Sequence, residues 1–290
     1  MMINGITKLY GLIGNPVAHT LSPLIHNTLA ERLHHNMVYV PMQVEEGNLT
    51  DALKGAYALH VYGLNITVPY KSEVLKSLVS VEELAGKIGA VNTLVRTDGG
   101  YRGYNTDMTG LYRAMCTQGI CMRGEHVIIL GAGGAARAVA FMCAYYGAAQ
   151  VYLMNRTREK AEIVAEEVNK VLTTDCVIPM AIEEYATLPK QQYLAIQATS
   201  VGLYPQVEDV VIEDMDFYDK IHIGYDLIYR PAQTRFLSLV ERAGGQAYSG
   251  LTMLLYQGIE AYELWNQTKI TEECAIDLYQ VLQKEMETNV

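Results

Sequence analysis

The feature that most constrains the fold is the segment HVIILGAGGAARAVA, residues 126 to 140. An apolar strand leads into a turn with Gly131, Gly133 and Gly134, and the helix that follows has Ala136 at the third small position. The first glycine of such a turn permits the tight bend, the second lets the backbone approach a pyrophosphate, and the third small residue allows close helix packing. Because a helix N-terminus also binds phosphate, the segment predicts a dinucleotide site, with a purely structural glycine turn as the alternative.

The end of the next strand indicates which dinucleotide is bound. A site for NAD usually has Asp or Glu there to bind the ribose hydroxyl, whereas VYLMNRTREK supplies Asn155, Arg156, Thr157 and Arg158. A guanidinium together with a hydroxyl suits a 2′-phosphate, so the sequence predicts NADP. The alternative is that both arginines belong to an ordinary surface loop.

The apolar runs divide the chain into two series. The first hundred residues alternate short apolar runs with helical patterns, a second alternating series begins at HVIIL, and the pattern after Gly250 is wholly helical. Such alternation is typical of β-α-β units and parallel sheets, and 290 residues suffice for two cores. We therefore expect an α/β protein of two domains, the first with a mixed, mostly parallel sheet and the second of Rossmann type.

The composition excludes several classes of function. A formal net charge of −10 argues against nucleic acid or anionic membrane as a partner, because both require clustered Lys and Arg. We find no secretory signal and no apolar run of about 18 residues, so we expect a cytoplasmic protein. The five cysteines are scattered and the seven histidines form no recognisable ligand set, so we expect neither disulfides nor a metal site.

The stretch NITVPYKSEV poses a separate question about Lys71. A β-branched strand stops at Pro69, and Lys71 is expected in the first turn of a helix, where a cation opposes the helix dipole. Local sequence alone favours a solvated surface charge over a proton donor.

The opening segment GLIGNPVAHTLSPLIHN is equally ambiguous. Ser22 followed by Pro23 is a sufficient structural start for a helix, with Ser22 as the N-cap. A helix N-terminus flanked by the hydroxyls of Thr20 and Ser22 also suits a substrate carboxylate, and local sequence leaves both interpretations open.

Several motifs together resemble one family. In chain order they are GNPVAHTLSPLIHN, GLNITVPYK, GAVNTL, GYNTD, GAGGAARA, NRT, YDLIYRP and SGLTMLLYQG. The set resembles the shikimate dehydrogenases, which implies NADP-dependent interconversion of shikimate and 3-dehydroshikimate, a step toward aromatic amino acids. The resemblance implies a substrate-binding domain of residues 1–107, completed by C-terminal helices in 251–290, and a Rossmann-type NADP domain of residues 108–250.

The resemblance also assigns roles to individual residues. Lys71 is implied to transfer the proton, with Asp107 as its partner. The residues implied to bind substrate are Thr20, Ser22, Thr67, Asn92, Asp107, Tyr229 and Gln257. The residues implied to bind cofactor are Gly131, Ala132, Gly133, Gly134, Ala135, Asn155, Arg156, Thr157, Arg158, Leu227 and Gly250.

Two positions depart from the family pattern. Thr20 replaces the usual serine, and Gln197 stands in QATS where NATS is common. The resemblance implies that the methyl group of Thr20 lies toward the end of the ring where quinate differs from shikimate, so a quinate/shikimate dehydrogenase of relaxed specificity is one alternative. A non-catalytic NADP-binding sensor is another. We expect small-molecule substrates as partners and a monomer or homodimer.

Overall fold

The apolar runs form strands and the helical patterns form helices in residues 3–288, the part of the chain that the computed structural model describes. The strands of this part are β1 (Lys8–Gly14), β2 (Met37–Gln43), β3 (Gly63–Ile66), β4 (Ser80–Val81), β5 (Thr93–Thr97), β6 (Gly100–Tyr104), β7 (His126–Leu130), β8 (Gln150–Asn155), β9 (Val177–Ala181), β10 (Tyr193–Gln197), β11 (Ile221–Asp226) and β12 (Gln246–Ser249).

The helices alternate with these strands and then close the chain. They are α1 (Ser22–Arg32), α2 (Leu49–Ala58), α3 (Glu83–Ile88), α4 (Thr106–Thr117), α5 (Gly134–Tyr145), α6 (Arg158–Leu172), α7 (Met215–Tyr218), α8 (Arg235–Arg242), α9 (Leu251–Asn266) and α10 (Glu272–Thr288). Two short 3₁₀ helices, Glu73–Ser77 and Ile182–Thr187, lie in the connections.

The described residues divide into two compact units. The first unit comprises residues 3–111 and 254–288, and the second comprises residues 112–253. The family resemblance implied boundaries at 107 and 250. The structure places them inside α4 and α9, because each of these helices contributes residues to both units.

The first unit is built on a mixed sheet with the strand order β2-β1-β3-β5-β6-β4. Strand β1 runs parallel to β2 and β3, while β5 is antiparallel to both β3 and β6. The antiparallel pair of β5 and β6 is joined by the hairpin at Asp98-Gly99, where Gly99 has φ +81° and permits a tight turn. The mixed sheet is confirmed, although the sequence analysis did not identify this hairpin.

The C-terminal helices pack on the first unit. A side chain on Gly258 of α9 would lie 2.9 Å from Ile25 of α1, so glycine permits the close approach of these helices. The indole of Trp265 donates to the Leu94 carbonyl at 2.9 Å, and Arg32 pairs with Asp277 of α10 at 3.1 Å. Residues distant in sequence therefore complete the first core, as the family resemblance implies.

The second unit contains a fully parallel sheet with the strand order β12-β11-β10-β7-β8-β9. Its central strands are continuously buried, which is typical of a parallel sheet covered on both faces. The strand order reverses between β7 and β10, and ligands of such sheets bind at this switch point, beyond the carboxyl ends of the strands. The predicted Rossmann-type fold is confirmed.

No helix in residues 3–288 is long and apolar enough to span a membrane.

Candidate active site

A lysine and an aspartate form the central ion pair of the first unit. Lys71 Nζ lies 2.8 Å from Asp107 Oδ2, and the two side chains are 34% and 20% exposed. The pair is thus accessible to a ligand but partly withdrawn from water, which strengthens the interaction of these charges relative to a fully solvated pair.

The backbone around Lys71 is fixed by its neighbours rather than by a helix. The Lys71 carbonyl accepts from Val91 N at 2.8 Å, and the hydroxyl of the buried Tyr70 donates to the Val44 carbonyl at 2.6 Å. The predicted helix at Lys71 is wrong: the residue lies in a turn, and only a short 3₁₀ helix, Glu73–Ser77, follows. Lys71 therefore does not begin a helix of its own, and its ammonium pairs with Asp107 in the first turn of α4.

Asp107 is held in the first turn of α4. Asn105 caps this helix, because its Oδ1 accepts from Met108 N at 3.1 Å. From the sequence NTDMTGL, Thr106 is also a possible cap, but its hydroxyl instead contacts Asn92 and Thr93, at 3.1 and 3.0 Å. The reason is that Asn105 has the more suitable side chain one position earlier.

Asn92 is buried in the interior of the first unit and bonds to Thr106, the residue before Asp107. Its Oδ1 accepts from Thr106 N at 2.7 Å, and its Nδ2 donates to Thr106 Oγ1 at 3.1 Å. An amide nitrogen has two N–H donors, so Asn92 retains one beyond this contact. The network ties β5 to the start of α4 and thereby fixes the backbone that bears Asp107.

A second buried pair, Tyr39 and Asn65, also bonds to the segment that contains Asn92. Asn65 Nδ2 donates to the Asn92 carbonyl at 3.2 Å and to Thr93 Oγ1 at 3.1 Å, while Asn65 Oδ1 accepts from the hydroxyl of Tyr39 at 2.8 Å. The sequence analysis assigned no role to Tyr39 or Asn65. Asn65 begins the quoted stretch NITVPYKSEV, and an asparagine within an apolar strand was the missed signal.

The hydroxyls of Thr20 and Ser22 lie together at the start of α1. Thr20 Oγ1 donates to Ser22 Oγ at 3.1 Å and accepts from Ser22 N at 3.2 Å. The prediction that Ser22 is the N-cap is wrong, since the helix already includes Ser22 and its N-cap is Leu21, without a side-chain hydrogen bond. Ser22 therefore has no capping role, and its hydroxyl instead bonds to Thr20 and to the buried Tyr39.

Close approaches at two glycines position the remaining predicted side chains of the first unit. A side chain on Gly14 would collide with Thr67, and one on Gly110 of α4 would lie 2.5 Å from the backbone nitrogen of Gln257 on α9. Gln257 Nε2 donates to the Leu254 carbonyl of its own helix at 2.9 Å.

In the second unit, the glycine turn leaves room for a ligand. A side chain on Gly133 or Gly134 would meet nothing within 4 Å, and both residues are exposed. Gly131 has φ +113°, and a side chain there would lie 2.9 Å from Thr199. Ala132 and Ala135 complete the turn, and no side chain caps α5. These features fit a pyrophosphate bound by the helix N-terminus.

The end of β8 presents the predicted adenosine-binding residues. Asn155 Nδ2 donates to the Thr157 carbonyl at 2.8 Å, which shapes the loop, and Arg156 is exposed and pairs with no carboxylate in residues 3–288. Arg158 is different, because its guanidinium contacts Glu162 and Glu184 at 3.1 and 2.7 Å.

The end of β11 carries the last predicted residues. Leu227 N donates to the Gln197 carbonyl at 3.0 Å, and Gly250 packs against Leu227 so closely that a side chain there would clash with the backbone. Burial raises the pKa of the Tyr229 hydroxyl, against an opposing effect of Arg230, so the phenol stays protonated and able to donate.

Asp226 holds this segment in place and was not assigned by the sequence analysis. The buried carboxylate accepts from Thr234 Oγ1 at 2.6 Å and from Ile228 N at 2.9 Å. It lies in the quoted motif YDLIYRP, where an acid at the end of an apolar strand was the available signal.

Comparisons with known proteins agree with this geometry. Residues 12–94 match the model of the shikimate dehydrogenase substrate binding domain, and residues 115–202 match that of shikimate / quinate 5-dehydrogenase. The first match lies in the unit with the Lys71–Asp107 pair, and the second includes the glycine turn.

Individual relatives cover nearly the whole chain. The NADP(+) shikimate dehydrogenase of Desulforamulus reducens is 40% identical over 91% of both chains. A Listeria monocytogenes shikimate 5-dehydrogenase, solved with shikimate and NAD, is 32% identical with a TM-score of 0.89 over 97% of this chain and 98% of that chain. The Thermus thermophilus enzyme, solved with NADP(H) and shikimate, is 32% identical with a TM-score of 0.82 over 95% and 99%. This chain belongs to the shikimate dehydrogenase family.

Proposed function

We propose that this protein catalyses the NADP-dependent, reversible reduction of 3-dehydroshikimate to shikimate. The observation that carries the proposal is the 2.8 Å contact between Lys71 Nζ and Asp107 Oδ2 in a partly exposed part of the first unit. Exposed lysines of this chain also pair with carboxylates, as Lys87 does at 2.7 Å, but its partner Glu83 is 80% exposed whereas Asp107 is 20% exposed. A partner withdrawn from water suits a proton donor, which must be oriented toward the atom that it protonates.

Reduction of a ketone requires a hydride at the carbonyl carbon and a proton at the oxygen. NADPH supplies the hydride when bound, and NADP⁺ accepts it in the reverse direction. Lys71 donates its ammonium proton to the developing alkoxide and takes a proton from the hydroxyl in the reverse direction. General acid–base assistance of this kind contributes typically 10²- to 10⁴-fold to the rate.

Asp107 orients the Lys71 ammonium and accepts a hydrogen bond from a ring hydroxyl. The remaining N–H of Asn92 Nδ2 donates to the substrate, because its other N–H is given to Thr106. We assign the substrate carboxylate to the hydroxyls of Thr20 and Ser22. Thr67 and Gln257 bind the substrate from the first unit, and Tyr229 binds it with its protonated hydroxyl.

The cofactor is proposed to bind to the second unit. The backbone from Gly131 to Ala135 holds the pyrophosphate at the N-terminus of α5. Asn155, Arg156 and Thr157 hold the adenosine end. Arg156 is assigned to the 2′-phosphate, because its guanidinium pairs with no carboxylate of the described residues. Leu227 and Gly250 would flank the nicotinamide.

We propose a cytoplasmic enzyme that acts on small molecules as a monomer or homodimer and does not bind nucleic acid. The five cysteines, all free, suit a reducing compartment, and the net charge of −10 disfavours polyanions.

The proposal is tested by mixing the purified protein with shikimate and NADP⁺ and recording NADPH absorbance. We expect turnover with shikimate that exceeds turnover with quinate at equal concentrations. NADP⁺ binding without turnover would instead identify a non-catalytic sensor, and equal use of quinate would identify the enzyme of relaxed specificity.

A further inference from the structure

Arg158, the first residue of α6, lies between two carboxylates. Its Nε is 3.1 Å from Glu162 Oε1, and its Nη1 is 2.7 Å from Glu184 Oε1. Glu162 is one turn further along α6, whereas Glu184 belongs to the 3₁₀ helix that follows β9. One arginine against two glutamates leaves this cluster with a net negative charge, which makes it a poor receptor for a phosphate.

Glu184 is held at the carboxyl edge of the sheet, beside the loop proposed to bind adenosine. The last residue of β8, Asn155, pairs with Ala181, the last residue of β9. Glu184 Oε2 accepts from the backbone nitrogen of that same Ala181 at 2.7 Å. The carboxylate therefore lies at the same edge of the sheet, one strand away from the end of β8, where enzymes that use NAD place an acid for the ribose hydroxyl. Its two oxygens are engaged by Ala181 and Arg158.

We propose that Arg158 determines cofactor specificity by forming an ion pair with Glu184, and that it does not itself bind the 2′-phosphate. The inference rests on the proposed use of NADP. Arg158 neutralises and orients a carboxylate that would otherwise repel a 2′-phosphate and accept a hydrogen bond from the 2′-hydroxyl of NAD. Arg156 makes the direct contact with the phosphate. Arg158 is thus a positioning residue that acts through Glu184.

The two possible roles of Arg158 respond differently to a second substitution. Removing Arg158 leaves Glu162 and Glu184 uncompensated, so Arg158→Ala should weaken NADP⁺ binding about three- to tenfold, as expected for repulsion between partly solvated charges. Binding of NAD⁺ should stay the same or become tighter. Adding Glu184→Gln returns the cluster to its original net charge, and the glutamine oxygen still accepts from Ala181 N. Affinity for NADP⁺ should then recover to within about twofold of wild type.

The experiment measures Kd by isothermal titration calorimetry for NADP⁺, NAD⁺ and 2′-AMP with wild type, Arg158→Ala, Glu184→Gln and the double variant. Arg156→Ala, alone and combined with Glu184→Gln, is the control for a residue that contacts the phosphate directly. Adding Glu184→Gln to Arg156→Ala should change the Kd for NADP⁺ by no more than Glu184→Gln changes it in wild type. Arg32→Ala, which breaks an exposed ion pair with Asp277 in the first unit, is the matched charge control and should leave all three Kd values unchanged.

Two results would overturn the inference. If the double variant binds NADP⁺ as weakly as Arg158→Ala, Arg158 contacts the phosphate directly; if Arg158→Ala binds like wild type, Glu184 has no influence on the site. Thermal unfolding of each variant separates loss of folding from loss of binding. Failure of the wild type to bind NADP⁺ would contradict the proposed function instead.

Discussion

The hydroxyl of Tyr39 donates a 2.8 Å hydrogen bond to Asn65 Oδ1 in the interior of the first unit, where the two residues are only 1% and 4% exposed. Tyr39→Phe should therefore cost about 1 to 3 kcal/mol of stability, because it leaves a buried acceptor without its donor. Urea unfolding measures this loss. Tyr248→Phe, which removes an exposed hydroxyl bonded to Gln246, is the control and should change stability by less than about 0.5 kcal/mol. An equal loss of stability in both variants would show that the buried hydrogen bond contributes no more to stability than an exposed one.

Stability should depend on pH through Asp226. Burial raises the pKa of Asp226 to about 6 from 3.8, although hydrogen bonds from Thr234 and from Ile228 N oppose this shift. Between about pH 4 and pH 6 the folded protein holds a proton that the unfolded chain has released, so the contribution of this group falls as pH rises through that window. The contribution of Asp226 to the free energy of unfolding should fall by up to about 3 kcal/mol across this window.

Asp226→Asn provides the measurement, because the variant cannot titrate at this position. The unfolding free energy of the variant relative to wild type should rise between pH 4 and pH 7, while all other titrating groups cancel in the difference. A difference that is constant with pH, or that falls, would show that the Asp226 carboxyl is not buried in this way.

Arg156 should determine affinity for NADP. Arg156→Ala removes a charge-assisted contact with the 2′-phosphate, so NADP⁺ binding should weaken about 10- to 100-fold, and NAD⁺ binding should change little. The ratio of the two Kd values, measured by calorimetry, is the readout. Equal losses for both cofactors would remove Arg156 from the phosphate site.

Thr20 should influence the choice between shikimate and quinate. Its hydroxyl is held by Ser22, and Thr20→Ser keeps both hydrogen bonds while deleting one methyl group. The ratio of kcat/KM for quinate to that for shikimate should change by about 10- to 200-fold, since one methyl group is worth about 1 to 3 kcal/mol in a pocket. An unchanged ratio would show that another residue selects the substrate.

The strong local patterns of the sequence predicted most of the fold. The glycine turn and the parallel strands around it were evident because each follows from a short stretch of chain, and the mixed first sheet was also expected. The residues that support the site were missed for the opposite reason. Tyr39, Asn65 and Asp226 act through partners 8 to 28 residues away in sequence, so only the folded chain shows their hydrogen bonds.

Local sequence preferences also gave wrong predictions where two residues could fill the same structural role. Thr106 suits a helix cap, but Asn105 precedes it and takes the cap, which leaves the Thr106 hydroxyl for the network behind Asp107. At Arg158 the composition of the loop predicted a phosphate ligand, while the fold brings Glu184, from the 3₁₀ helix after the neighbouring strand β9, to the same guanidinium. The sequence shows the charges, but only the pairing of β8 with β9 shows which charges meet.

The most direct test of the account is the kcat of Lys71→Met with shikimate and NADP⁺. This variant keeps most of the side-chain length and removes the ammonium that lies 2.8 Å from Asp107. We expect kcat to fall 10²- to 10⁴-fold while the Kd for NADP⁺ stays within about twofold of wild type, because the proposed cofactor residues lie in the second unit. A variant with near-normal kcat and a raised KM for shikimate would contradict the account, since Lys71 would then be a binding cation and not the proton-transfer group.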